Sequence, residues 1–107
     1  MTIHTTVSSV GGTTVVAIDG VLDLSSVGQL HNDLSNVIRR HPGEPLLVDL
    51  DAASAVDDTA LGVLLGAAAS ARESGGDLQV VCTRETLRAR LERTRFDRAI
   101  DVRATFS

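Results

Sequence analysis

Residues Val48 to Leu65 read Val-Asp-Leu-Asp-Ala-Ala-Ser-Ala-Val-Asp-Asp-Thr-Ala-Leu-Gly-Val-Leu-Leu. The run begins inside a short apolar strand, Leu46 to Leu50, whose Leu-Leu-Val centre lacks polar alternation and so reads as buried on both faces. A loop of small residues follows from Asp51. At Asp57, Asp58 and Thr59 it delivers two carboxylates and a hydroxyl to the first turn of a helix. That helix, from about Asp58 to Ser74, carries no charge between Thr59 and Arg72, and it stops at Gly75-Gly76. Strand, loop and helix in this order form the repeating unit of an α/β sheet.

The alternation continues in both directions. Residues 3–8 and 13–19 are rich in Thr, Val and Ile with Gly11-Gly12 between them, a hairpin signal. Val21 to Leu24 reads as a short third extended piece. Ser26 and Gln29 stand at capping-box spacing, and Val27, Leu30, Leu34, Val37 and Ile38 follow at helical spacing. Arg39-Arg40 fill the last turn before Pro42-Gly43. Downstream, Leu78 to Cys82 reads as a buried strand. Thr83 is placed to cap a third helix to about Arg93, with Leu87 and Leu91 one turn apart. Ala99 to Phe106 reads as a final strand or short helix. The expected fold is α/β: one domain over residues 1–107, a mixed and mostly parallel sheet with an N-terminal hairpin and helices packed on it. Short right-handed crossovers would bring the loop Asp51 to Asp58 to one rim of the sheet.

Composition narrows the chemistry. With two Phe and no Tyr or Trp, the core must be aliphatic, and stacking platforms for single-stranded nucleic acid are missing. Residues 1–83 carry 3 Arg and 10 acids, net −7, whereas residues 84–107 carry 7 Arg and 4 acids, net +3. An overall basic surface for direct nucleic-acid binding is therefore not expected. All ten basic residues are Arg. Without Lys there is no Schiff base, no Walker-type phosphate loop and no receiver-type phospho-aspartate site, because a guanidinium stays protonated. His4, His31 and His41 share no metal-ligand spacing, so neither a metal nor a cofactor is expected. The lone Cys82 sits in an apolar strand and reads as a small core residue. No apolar run approaches about 18 residues and no signal segment opens the chain, which points to the cytoplasm and away from the membrane.

The run Val48 to Val63, with Val56-Asp57-Asp58-Thr59-Ala60-Leu61-Gly62 at its centre, resembles the signature of STAS domains, specifically bacterial anti-sigma factor antagonists. The usual form there is Asp-Ser-(Ser/Thr)-(Gly/Ala)-Leu-Gly after a buried strand. Asp19-Gly20-Val21-Leu22-Asp23 resembles the family's Gly-Glu-Leu-Asp segment. Gly75 to Val81 and Phe96 to Val102 resemble its next strand and its C-terminal segment. The resemblance covers nearly the whole chain and implies the same α/β STAS architecture. It also implies a binding module without catalysis: unphosphorylated, it binds an anti-sigma factor that is a serine/threonine protein kinase and frees the sigma factor. Phosphorylation would end binding, and a phosphatase would reset it. ATP and Mg²⁺ belong to the kinase, and the free antagonist is a monomer. The family also contains scaffold subunits of larger stress-sensing complexes, the alternative role.

The resemblance places the phosphorylated residue at Thr59. From the residues alone, the Thr59 hydroxyl either receives a phosphate beside the positive helix end or bonds to its own backbone as a helix-start hydroxyl. Asp57 matches the motif aspartate and also suits an N-cap. Asp58 departs from the usual Ser, placing a fixed carboxylate next to the acceptor. Along the helix, Leu61, Leu64, Leu65 and Ala68 form a stripe expected to pack on the sheet. Gly62, Val63, Gly66, Ala67 and Ser70 form a flat uncharged face, either a docking surface or a face covered by the same chain. Asp23 is either a partner contact on the rim or a turn carboxylate. The Arg residues from Arg84 to Arg98 read mostly as the solvated face of the third helix. Asp57 and Asp58 could form an acid pair for catalysis, but no nucleophile, metal cluster or phosphate loop accompanies them.

Overall fold

Gly11 and Gly12, both at positive φ (58° and 83°), fold the first strands into a tight hairpin. The computed structural model describes residues 2–105. Strand β1 (His4–Val10) pairs antiparallel with β2 (Thr13–Leu22), and β2 leads through a turn to helix α1 (Val27–Arg40). Then follow β3 (Pro45–Asp49), β4 (Ala53–Val56), helix α2 (Asp58–Glu73), β5 (Asp77–Val81) and helix α3 (Glu85–Arg93). A 3₁₀ turn (Phe96–Arg98) and a short β6 (Val102–Arg103) complete the described chain. The sheet runs β1-β2-β3-β5-β6, with β4 also on β2, and every pair after the first is parallel. The expected α/β architecture, hairpin included, is the one observed.

Strand alternation divides the sheet into two faces. Val16 and Ile18 of β2, Leu46 and Val48 of β3, and Leu78 and Val80 of β5 point into one core. Leu30 and Leu34 of α1, Leu61 and Leu64 of α2, and Leu87 and Leu91 of α3 fill that core from the helices. Each fully buried aliphatic side chain contributes about 1.5–3 kcal/mol. The opposite face carries the small buried cluster Val15, Leu47 and Val81.

Several local expectations do not hold. Val21-Leu22 continue β2 rather than forming a separate strand, and Asp23-Leu24 lie in the following turn. No capping box forms at α1. The buried Ser26 hydroxyl donates to the Val21 carbonyl at 2.7 Å, tightening the β2 exit, and Gln29 clamps both backbone groups of Ile3. The N-cap of α3 is Arg84, not Thr83. The Thr83 amide and hydroxyl instead donate to the Asp51 carboxylate at 2.7 and 3.0 Å. Of the tail, Ala99 follows the 3₁₀ turn, only Val102–Arg103 form a strand, and Phe106 lies outside the described residues.

Strand β4 lies inside what reads as loop in the sequence. Beyond Ala17, β2 has outrun β3, and its backbone groups need another partner. The chain after β3 runs on in the same direction and supplies it, pairing Gly20, Val21 and Leu22 with Ala53, Ala55 and Val56 across a bulge. At its far end α2 closes in a Schellman motif, with the Gly76 amide bonded to the Ala71 carbonyl and that of Gly75 to Arg72. A β-carbon on Gly76 would stand 2.4 Å from the Glu44 carbonyl oxygen, so this turn accepts only glycine. Both ends of α2 are thus fixed by the chain.

Candidate functional site

The parallel pair Leu22 and Val56 ends two strands side by side, and the next residue of each is an aspartate. Asp23 and Asp57 therefore leave the sheet together, and the Asp57 amide donates to the Leu22 carbonyl at 2.9 Å. Asp23 accepts from the Ser25 hydroxyl at 2.6 Å and from the Ser25 amide at 3.0 Å. The Ser25 hydroxyl bond is the main reason its carboxyl lies below the ordinary value. Asp23 thus forms the turn as well as reaching the rim. Leu24, 74% exposed, stands beside it. Its one signal in the sequence is its place next to this turn.

Asp57 is the N-cap of α2, its carboxylate accepting from the Ala60 amide at 3.0 Å. A cap of this kind contributes about 1 kcal/mol. Because the carboxylate does the capping, the Thr59 hydroxyl is not needed there. Thr59 is exposed, and its hydroxyl has no hydrogen-bond partner among the described residues. The other hydroxyls of this rim are engaged: Ser25 on Asp23, Ser26 on Val21, Ser54 on the Gly20 carbonyl, and Thr83 on Asp51. Asp58 turns toward α3 and pairs with Arg90 at 2.8 Å. Its charge is therefore opposed within the chain. Arg84 braces the segment between β3 and β4, donating to the carbonyls of Leu50 and Ala53. Arg84 and Arg90 thus act on this region and are not simply a solvated face.

The α2 helix presents its sides unequally. Ala60, Leu61, Leu64, Ala68 and Ala71 are buried, as the apolar stripe requires. Leu65 departs from that stripe: it is 37% exposed and faces a groove between α2 and the segment Thr94 to Ala99. On the other side Val63 and Ala67 are half-buried against the main core and floor a second groove of about 300 Å³. His31, Ser35 and Ile38 of α1 form its far wall, and Gly66 and Ser70 its near rim. Gly62, Gly66 and Ser70 are open to solvent, and a β-carbon built on either glycine meets nothing within 4 Å. The described chain therefore leaves the face between the grooves uncovered. Val63 belongs to its floor rather than its surface.

Other candidates fall away. Cys82 is fully buried, and burial pushes its thiol up, away from the reactive thiolate. Among the described residues no group of three or more His, Cys, Asp or Glu is placed to hold a metal ion. None of their helices is long and apolar enough to cross a membrane.

Solved structures share this architecture. An anti-sigma factor antagonist from Mycobacterium paratuberculosis matches 97% of this chain and 87% of its own, with a TM-score of 0.84 at 23% identity. The anti-sigma factor antagonist SpoIIAA in its unphosphorylated form covers 92% of this chain and 87% of its own, at TM-score 0.72 and 18% identity. The phosphorylated form of SpoIIAA, a Bacillus cell fate determinant, covers 92% and 90% at TM-score 0.65 and 18% identity. At such identities the likeness is one of fold. No curated protein sequence matches the chain. The STAS domain model matches residues 4–107, almost the whole of the fold just described, and the chain belongs to the STAS domain family.

Proposed function

We propose that this chain is an anti-sigma factor antagonist whose binding is turned off by phosphorylation of Thr59. The observation that carries the reading is the Thr59 hydroxyl. It stands exposed in the first turn of α2 with no partner among the described residues, whereas the neighbouring rim hydroxyls are engaged. The fold it shares with antagonists solved with and without phosphate supports the same reading. Asp23, Asp57, Asp58, Thr59, Gly62, Val63, Gly66 and Ser70 form the partner surface, with Val63 as floor. The partner is an anti-sigma factor that is itself a serine/threonine kinase and brings its own ATP and Mg²⁺. A phosphatase removes the phosphate. The chain acts in the cytoplasm, is a monomer when free, performs no catalysis, holds no cofactor or metal and contacts no nucleic acid. A pull-down from native cytosol, with and without ATP, tests this. Capture of a kinase-type anti-sigma factor only without ATP is the expected result. Stable co-elution with a large multisubunit complex in both conditions would overturn it in favour of a scaffold subunit.

Asp58 tunes this switch. Its exposed pair with Arg90 contributes about 0.2–1 kcal/mol, and negative charge at a helix start about 0.3–1 kcal/mol. Asp58→Ser is expected to lower stability by about 1 kcal/mol or less. It also frees Arg90 beside the acceptor and removes a charge that an approaching ATP γ-phosphate must tolerate. Phosphorylation should therefore run faster, by a factor that shrinks as salt screens the charges. A kinase time course at low and high salt measures it. Equal rates for both proteins would show that Asp58 only braces the helix start.

A further inference from the structure

A cation from α3 reaches the start of α2 directly. Arg90 Nη2 donates to Asp58 Oδ1 at 2.8 Å, although the Asp58 side chain is 85% exposed. Three neighbouring charges are held elsewhere. Asp57 caps the Ala60 amide, Asp23 holds Ser25, and Arg84 holds the carbonyls of Leu50 and Ala53. Asp58 and Thr59 are consecutive in the first helical turn, so their side chains diverge by about 100° around the axis. The Arg90 guanidinium thus rests on the residue next to Thr59.

We infer that Arg90 is the built-in counter-ion of a phosphate on Thr59, kept at the helix start by Asp58 until the phosphate arrives. The inference rests on Thr59 being the modified residue, as proposed above. The competition favours transfer. One Asp58 oxygen offers a single contact and a single charge. A threonine phosphate brings close to two charges and three acceptor oxygens that a planar guanidinium grips bidentately. Modification then draws α3 onto α2 through this charge-assisted pair. The Arg90–Asp58 pair is a reserve for the modified state more than a support for the unmodified one, since exposed pairs add little to stability.

The test installs phosphothreonine at position 59 during translation, so no kinase is required, and follows the second ionisation of the phosphate by ³¹P NMR. That ionisation lies near 6 for an unperturbed phosphate monoester. With Arg90 present it is expected about 0.5 lower than in Arg90→Gln, with Arg90→Lys between them. The difference should keep at least half its size in about 1 M NaCl, where the screening length falls to about 3 Å. Titration curves that coincide within about 0.1, or a difference that salt abolishes, would overturn direct pairing. Kinase labelling done separately distinguishes the two ideas. An unlabelled Thr59 defeats the proposed function, whereas the titration alone decides the Arg90 contact.

Discussion

Gly66→Arg is expected to weaken binding of the anti-sigma factor at least about 100-fold, some 2.7 kcal/mol, while the protein stays folded. Gly66 lies on the solvent side of α2, at the rim of the α1–α2 groove, and a β-carbon there meets nothing within 4 Å. The substitution therefore makes no clash within the chain. Inside a helix, Arg in place of Gly gains up to about 1 kcal/mol of helix propensity. The thermal midpoint should hold or rise slightly, and the far-UV circular dichroism should not change. A partner helix lying flat on Gly62, Gly66 and Ser70 would meet a long charged side chain at the centre of its footprint. Calorimetric titration against the kinase, alongside a thermal melt, separates the outcomes. Binding within threefold of the parent protein, with the melt unchanged, would remove this face from the interface.

The expectation that tests this face most directly was open in the sequence. Gly62, Val63, Gly66, Ala67 and Ser70 share a helical side, but spacing alone cannot tell a docking face from one the chain covers itself. The structure leaves Gly62, Gly66 and Ser70 exposed and tucks Val63 and Ala67 toward α1. What the sequence made legible was local. The Gly11-Gly12 turn, the bounds of α2 and the apolar strands β3 and β5 are each written in adjacent residues. What stayed hidden depends on pairing across the chain. Ala-Ser-Ala-Val has little strand propensity, and β4 exists because the second half of β2 would otherwise lack a partner. Ser26 and Thr83 match cap signals, yet their hydroxyls are taken by a carbonyl and a carboxylate set by tertiary structure. The Asp58–Arg90 pair joins residues on two helices, and no periodicity announces it. Leu65 reads as core, but it lies on the side of α2 that faces the open groove beside Thr94 to Ala99, and the side chain is left partly exposed.

Incubation with the cognate kinase, Mg²⁺ and ATP is expected to add one phosphate, at Thr59, and to weaken partner binding at least about 100-fold. The phosphate brings close to two negative charges to a rim that already holds Asp23, Asp57 and Asp58. Two unit charges about 4 Å apart near a protein surface interact by about 4 kcal/mol, so one facing partner carboxylate suffices for that loss. The fold should tolerate the change, because negative charge at a helix start is stabilising by roughly 0.3–1 kcal/mol. Thr59→Ala should take no phosphate yet bind like the parent, since the cap belongs to Asp57 and the hydroxyl has no partner among the described residues. Thr59→Glu supplies only one charge and less bulk, and should bind about tenfold more weakly, or 1.4 kcal/mol. Intact-mass and peptide mass spectrometry locate the phosphate, and calorimetric titration measures each affinity. Ser54 is the competing hydroxyl on this rim, but it donates to the Gly20 carbonyl at 3.3 Å from within β4. Phosphate found there, or an affinity unmoved by phosphate on Thr59, would sink the switch.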